Sequence, residues 1–242
     1  MKVRKVEKKD YNQLVLHAKN VINYYDFFDN YNDELNTGLA TFLLNNMIRN
    51  VNYGYVIEYN GLIVGVLLAS IPDYKHQNIF SDQDLIDLNV EEADNINFFK
   101  TLDDNQEEIK NLEIYTNQVY YEMFQKYSDI VSNRSEILMF SILPKHRGRG
   151  LSDILYNKFK FDIIEYGYPD FCLFTTTNCD YGYYEHKKLQ FVKEIMYDSS
   201  NVNEELAKFL SIPMFGIIYY GNANAPKEYD GVAEEIIEEN NQ

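Results

Sequence analysis

An apolar run from Ile137 to Leu143 stops at Pro144. Six residues dense in cations and glycine follow, Lys145-His146-Arg147-Gly148-Arg149-Gly150, and a new apolar periodicity opens at Leu151. The run reads as a buried strand, and Pro144, which has no N–H to give to a ladder, ends it. Leu151, Ile154, Leu155 and Phe159 then recur at i, i+3, i+4 and i+8, one face of a helix. Glycine lets the intervening backbone turn without a Cβ clash, so consecutive N–H groups can face one anion. The helix start adds its own unpaired N–H groups and positive dipole end. The segment is therefore a phosphate-binding turn between a strand and a helix.

The same residues, Arg147-x-x-Gly150-x-Ser152, resemble the pyrophosphate-binding motif of the GNAT superfamily of N-acetyltransferases, written [Q/R]-x-x-G-x-[G/A]. Ser152 departs from the usual Gly or Ala but is small. The resemblance implies a mixed α/β fold of three layers. Its central sheet is twisted, seven-stranded and mostly antiparallel, with one parallel strand pair and helices on both faces. It implies acetyl-coenzyme A as cosubstrate, with no metal, and acetyl transfer to a primary amine of a small molecule or peptide. Cofactor contacts carried over by position are Phe140, Ser141 and Ile142 on the strand. In the turn and helix start they are Arg147, Gly148, Arg149, Gly150, Leu151, Ser152 and Asp153. The strand at 136–143 is expected to lie parallel and adjacent to one at 170–177, the two diverging at their C-terminal ends to admit the pantetheine arm.

Net charge is −16, which argues against general nucleic-acid binding and makes Lys145, His146, Arg147 and Arg149 an island of the minority sign. The 242 residues suffice for one sizeable core, and 22 Tyr with 15 Phe rule out a disordered composition. No apolar run approaches the ~20 residues that span a bilayer, and the first residues lack a signal-peptide core, so a cytoplasmic location is the expectation. Cys172 and Cys179 match no zinc spacing and make a poor disulfide framework. Neither a P-loop nor a dinucleotide fingerprint occurs.

Along the chain a short strand at Lys2–Val6 is expected, then a helix from Tyr11 to Tyr25 and another from Leu39 to Ile48. Strands at Tyr53–Glu58 and Ile63–Ile71 flank Asn60-Gly61, a hairpin signal. After the phosphate turn and a helix at 151–165 come a strand at Phe171–Thr177, a short helix near Tyr181–Lys188, and strands at Phe191–Tyr197 and Met214–Tyr220. Residues 1–225 are expected to form one domain with an insertion at about 72–133, and 226–242 an acidic tail. In the insertion, Leu112, Tyr115, Val119, Met123 and Phe124 share one helical face. The stretch 82–108 carries ten carboxylates against Lys100 alone, and reads as a solvated insertion or as a lid that attracts cations.

A second constellation, Asn178-Cys179-Asp180-Tyr181-Gly182-Tyr183-Tyr184-Glu185, resembles the family segment in which Asn precedes Tyr-Glu. By that resemblance Asn178 contacts the cofactor and Tyr184 protonates the departing thiolate; Tyr183 stands as the alternative. Two extra residues before Phe191, and Gln190 in place of Gly, depart from the pattern. The amine must also lose a proton, and the sequence does not single out the base: Glu136 and His186 are candidates, and the resemblance implies that many members use water or a backbone carbonyl. Cys179 could lie near the cofactor sulfur or serve as a small apolar residue. His17 and His76 show no partner pattern, and no cluster suggests a metal. A non-catalytic binder of acetyl-coenzyme A remains an open alternative.

Overall fold

A computed structural model describes residues 1–21, 37, 40, 41, 44, 45, 47–72, 78–88, 133–176, 179–197 and 214–224. The elements are β1 (Lys2–Lys5), α1 (Tyr11–Val21), β2 (Tyr53–Tyr59), β3 (Leu62–Ser70), α2 (Asp82–Asp87), β4 (Ser135–Ile142), α3 (Leu151–Glu165), β5 (Asp170–Thr176), α4 (Gly182–His186), β6 (Gln190–Tyr197) and β7 (Met214–Asn222). Helical residues among 40–48 mark the second expected helix. The expected helix at 112–124 and the tail at 226–242 lie outside the described residues, as do Asn178 and the last part of the helix expected to reach Tyr25.

The strands form one sheet in the order β1-β2-β3-β4-β5-β7-β6, all antiparallel except β4 with β5. The β2–β3 hairpin turns on Asn60 and Gly61, at φ 51° and 78°, and Tyr59 pairs with Leu62 across it. Positive φ at both central residues suits the twist of the strands they join. Parallel β4 and β5 need a crossover, and α3 supplies it.

The two sheet faces carry separate cores. On one, α3 buries Leu151, Ile154, Leu155, Phe159 and Ile163 against Ile57, Leu67, Phe171, Leu173 and Tyr219. Full burial of side chains this size stabilises by roughly 1.5–3 kcal/mol each. Asp162 lies on this apolar face as well, 2% exposed; its carboxylate accepts from the Tyr53 hydroxyl at 2.9 Å and from Lys158 Nζ at 2.6 Å. On the other face Leu14 and Ala18 of α1 pack with Leu44, Ile48, Val56, Val66 and Leu68.

The start of the acidic stretch is a short helix, which the charge pattern concealed. Ser81 and Asp84 form a reciprocal capping box at the start of α2, Leu85 is buried in the α1-side core, and Lys8 Nζ pairs with Asp84 and Asp87 at 2.5 and 3.1 Å. Residues 82–88 thus dock against the N-terminal segment, and none of them lines the cleft described below.

Candidate active site

Ser135, Glu136 and Ile137 of β4 pair with Phe171, Cys172 and Leu173 of β5, and the pairing goes no further. Both strands continue. β4 stays bonded to β3 as far as Ile142, and β5 to β7 as far as Thr176. The separation coincides with a bulge: Leu68 faces Met139 and Ala69 faces Ile137, so Leu138 is an extra residue on β4. An extra residue bends its strand and sharpens the local twist, which turns β4 away from β5. The expected divergence of the two strands is therefore present. The wedge it opens is the floor of a cleft of about 580 Å³.

At the open end of the wedge β4 gives way to a single 3-10 turn, Pro144–His146, and then to α3. Arg147 Nε donates to the Ile142 carbonyl at 3.1 Å, fixing the turn to the end of β4. Gly148 and Gly150 have φ of 72° and 71°. A Cβ at either would meet nothing within 4 Å, so it is the backbone conformation and not space that calls for glycine here. Among the described residues no backbone carbonyl accepts from the N–H groups of residues 148–152, and Gly148, Leu151 and Ser152 line the cleft. The site thus presents unclaimed donors beside the exposed Lys145, Arg147 and Arg149.

Of the residues expected from sequence, Phe140, Ser141, Ile142, Arg147, Gly148, Leu151, Ser152 and Tyr184 all line this one cleft. Three others do not. Gly150 is the N-cap of α3, Arg149 reaches back toward the Lys145 carbonyl at 3.5 Å, and Asp153 faces α4. There it accepts from the Tyr183 hydroxyl at 2.8 Å and pairs with Lys187 Nζ at 2.9 Å.

The two neighbouring tyrosines of α4 differ in how their hydroxyls are held. Tyr183 is committed to Asp153, and burial together with that carboxylate pushes its phenol well above the ordinary range. Tyr184 packs edge-on to Tyr183 and against Tyr219, and burial likewise raises its phenol. No described residue hydrogen-bonds the Tyr184 hydroxyl. Tyr184 thus offers an uncommitted, protonated phenol to the cleft.

Neither candidate base lines the cleft. His186 is exposed on α4, and Glu136 sits below the point where the strands part, its carboxyl pushed up to about 7 by burial. Cys179 lines the cleft; Cys172 is buried in β5, its thiol raised to about 12, and neither cysteine is in a disulfide. Among the described residues no group of three or more His, Cys, Asp or Glu could hold a metal ion, and no helix is long and apolar enough to cross a membrane.

The α1 side of the cleft was not legible in the sequence. Asn20, Val21 and Met47 line it, and behind Ser141 stands His17, 1% exposed. Its Nε2 is 2.9 Å from Ser141 Oγ and its Nδ1 is 3.3 Å from the Ile63 carbonyl. The cause is local. Ile63 pairs with Glu58 of β2, but β4 ends at Ile142 and leaves its other side without a strand, and α1 supplies the partners there: Gln13 accepts from its N–H at 3.0 Å, and His17 takes its carbonyl. Burial lowers the imidazole to about 4. One signal existed, since His17 interrupts the apolar stripe Leu14, Ala18, Val21 and falls four residues after Gln13.

No protein-family model matches the sequence, and no curated protein does. Solved structures do. Arylalkylamine N-acetyltransferase 2 from Aedes aegypti superposes with a TM-score of 0.51 at 16% identity, over 92% of this chain and 99% of that one. The fold is that of the GNAT N-acetyltransferases. A second similar structure, the PaiA N-acetyltransferase of Thermoplasma acidophilum in complex with coenzyme A, gives a TM-score of 0.48 at 11% identity over 91% and 98% of the two chains. A third, the ribosomal-protein-S18-alanine N-acetyltransferase of Escherichia coli, gives 0.47 at 8% identity over 94% and 96%.

Proposed function

We propose that the chain is an N-acetyltransferase that moves an acetyl group from acetyl-coenzyme A to a primary amine of a small molecule or peptide. The observation that carries this reading is the wedge between β4 and β5, floored by the Leu138 bulge and ending at a turn whose N–H groups are unclaimed. An extended arm with amide groups suits the free edge of β4, and a diphosphate suits the turn. Gly148, Leu151 and Ser152 would hold the diphosphate through backbone N–H groups, with Arg147 and Lys145 adding charge; Phe140, Ser141 and Ile142 would flank the arm. Asn178 is placed with them by resemblance alone.

Acetyl-coenzyme A, when bound, supplies a thioester carbonyl open to attack by a neutral amine nitrogen. The new C–N bond forms as the C–S bond breaks, and the sulfur leaves with the bonding pair. A phenol holds its proton at neutral pH, and Tyr184, which lines the cleft, gives that proton to the sulfur. Neither Glu136 nor His186 lines the cleft, so neither takes the proton shed by the amine.

The test is calorimetric titration with acetyl-coenzyme A, followed by thiol release over a panel of polyamines, aminoglycosides, amino acids, arylalkylamines and peptide N-termini. Micromolar binding with turnover of at least one amine is expected. No binding at millimolar acetyl-coenzyme A refutes the reading; binding with no turnover across the panel leaves a non-catalytic binder in its place.

A further inference from the structure

The geometry points to Ser141 as an obligate hydrogen-bond acceptor for an N–H donor of the ligand that occupies the cleft, with His17 as the residue that sets this polarity. A backbone carbonyl can only accept, so the His17 nitrogen facing Ile63 must carry a hydrogen. The imidazole is 1% exposed and among the described residues no carboxylate is bonded to it, so it stays neutral and its other nitrogen is bare. A bare ring nitrogen only accepts. The single hydroxyl hydrogen of Ser141 is therefore donated to His17 Nε2 at 2.9 Å. What Ser141 turns toward the cleft is its oxygen lone pairs alone.

Most serines adapt, donating or accepting as the ligand requires, because the hydroxyl rotates. Ser141 has lost that freedom through a chain of two hydrogen bonds that ends on a main-chain carbonyl. The half-buried serine lines the cleft on the α1 side, between the Leu138 bulge and the phosphate turn. A ligand carbonyl there would face oxygen lone pairs, whereas an N–H would gain a partner. Two ligand groups have that chemistry: an amide N–H of the pantetheine arm and the nitrogen of the incoming amine. The inference rests on the acetyl-coenzyme A reading of the cleft.

The experiment has a structural and a functional arm. Nitrogen-15 imidazole spectra at pH 7, with His17 assigned by its loss in His17→Asn, should show a neutral ring protonated on Nδ1. A ring protonated on Nε2, or a cationic ring, overturns the inference. Ser141→Ala and Ser141→Thr are then compared with the wild type by calorimetry with acetyl-coenzyme A and by kinetics with any amine the wild type acetylates. Losing one neutral hydrogen bond should weaken the affected partner about 10-fold in the alanine variant, and threonine, which keeps the hydroxyl, should recover most of it. A rise in the acetyl-coenzyme A Kd assigns the donor to the cofactor arm, and a rise in the amine KM at unchanged Kd assigns it to the acceptor. If neither moves while wild-type protein binds acetyl-coenzyme A, the role of Ser141 is refuted and the cofactor reading stands. If the wild type binds none, the cofactor reading itself fails.

Discussion

Tyr183 donates its hydroxyl to Asp153 Oδ1 at 2.8 Å, and Lys187 Nζ lies 2.9 Å from the same oxygen. One carboxylate thereby ties α4, which carries the uncommitted phenol, to the first turn of α3, which carries the unclaimed N–H groups. The two halves of the cleft are held in register by this contact.

Replacing Asp153 by Ala should therefore disturb chemistry more than cofactor affinity. Two charge-assisted bonds are lost, each worth roughly 1.5–3 kcal/mol where solvent is excluded and less here because Asp153 is partly exposed. We expect kcat to fall about 10-fold as Tyr184 loses its support, with the acetyl-coenzyme A Kd within about twofold of wild type. A large rise in Kd measured by calorimetry would instead make Asp153 a direct cofactor contact, as the sequence motif suggests.

Tyr184→Phe removes one hydroxyl and keeps the ring packing on Tyr183 and Tyr219. Acid assistance is worth about 10²-fold or more, so kcat should drop by that factor with cofactor Kd unchanged. Tyr183→Phe, whose hydroxyl is already given to Asp153, should cost less. The reverse ranking in steady-state kinetics would transfer the role to Tyr183.

Gly150 caps α3 at φ 71°. A left-handed conformation costs a residue with a Cβ about 1 kcal/mol, so Gly150→Ala should lower stability by that amount and leave room for the ligand. Gly150→Glu adds bulk and a negative charge at the turn and should abolish acetyl-coenzyme A binding. Calorimetry on both variants separates backbone strain from charge, and retained binding in the glutamate variant would remove the diphosphate from this turn.

Glu136 titrates near 7 in the fold against 4.5 as the ordinary value, because burial disfavours its anion. Below 4.5 both folded and unfolded chains hold the proton, and Glu136 does not affect stability. Between 4.5 and about 7 the unfolded chain releases it while the folded chain keeps it, so this group lowers stability as pH rises through that window. A gap of that size corresponds to about 3 kcal/mol at most. Glu136→Gln should thus gain stability relative to wild type on going from pH 4 to pH 8, read by denaturant unfolding at both. A constant difference between the two proteins would mean that Glu136 is solvated.

The phosphate turn, the β2–β3 hairpin and the limits of α3 were legible from residues 60–61 and 137–165 because their causes are local. Proline ends a strand, glycine takes positive φ, and apolar residues at helical spacing mark a face, and each rule acts within a few positions. The succession of elements along the chain was likewise legible, and its motif supplied the expectation that β4 and β5 would run parallel, whereas the placing of β7 between β5 and β6 appeared only in the sheet. The bulge at Leu138 was not legible, since nothing in Ile137-Leu138-Met139 distinguishes an extra residue from a paired one; only the register against Leu68 and Ala69 does. The same holds for His17, whose partners Ile63 and Ser141 lie 46 and 124 positions away, and for Asp153, which reads as a cofactor contact in the motif but meets Tyr183 thirty positions on. Local sterics determine where the backbone turns, and those rules are written in neighbouring residues. Which hydroxyl stays free, which carboxylate is claimed and which strands part depends on groups that meet only when distant segments pack, and only the tertiary structure decides them.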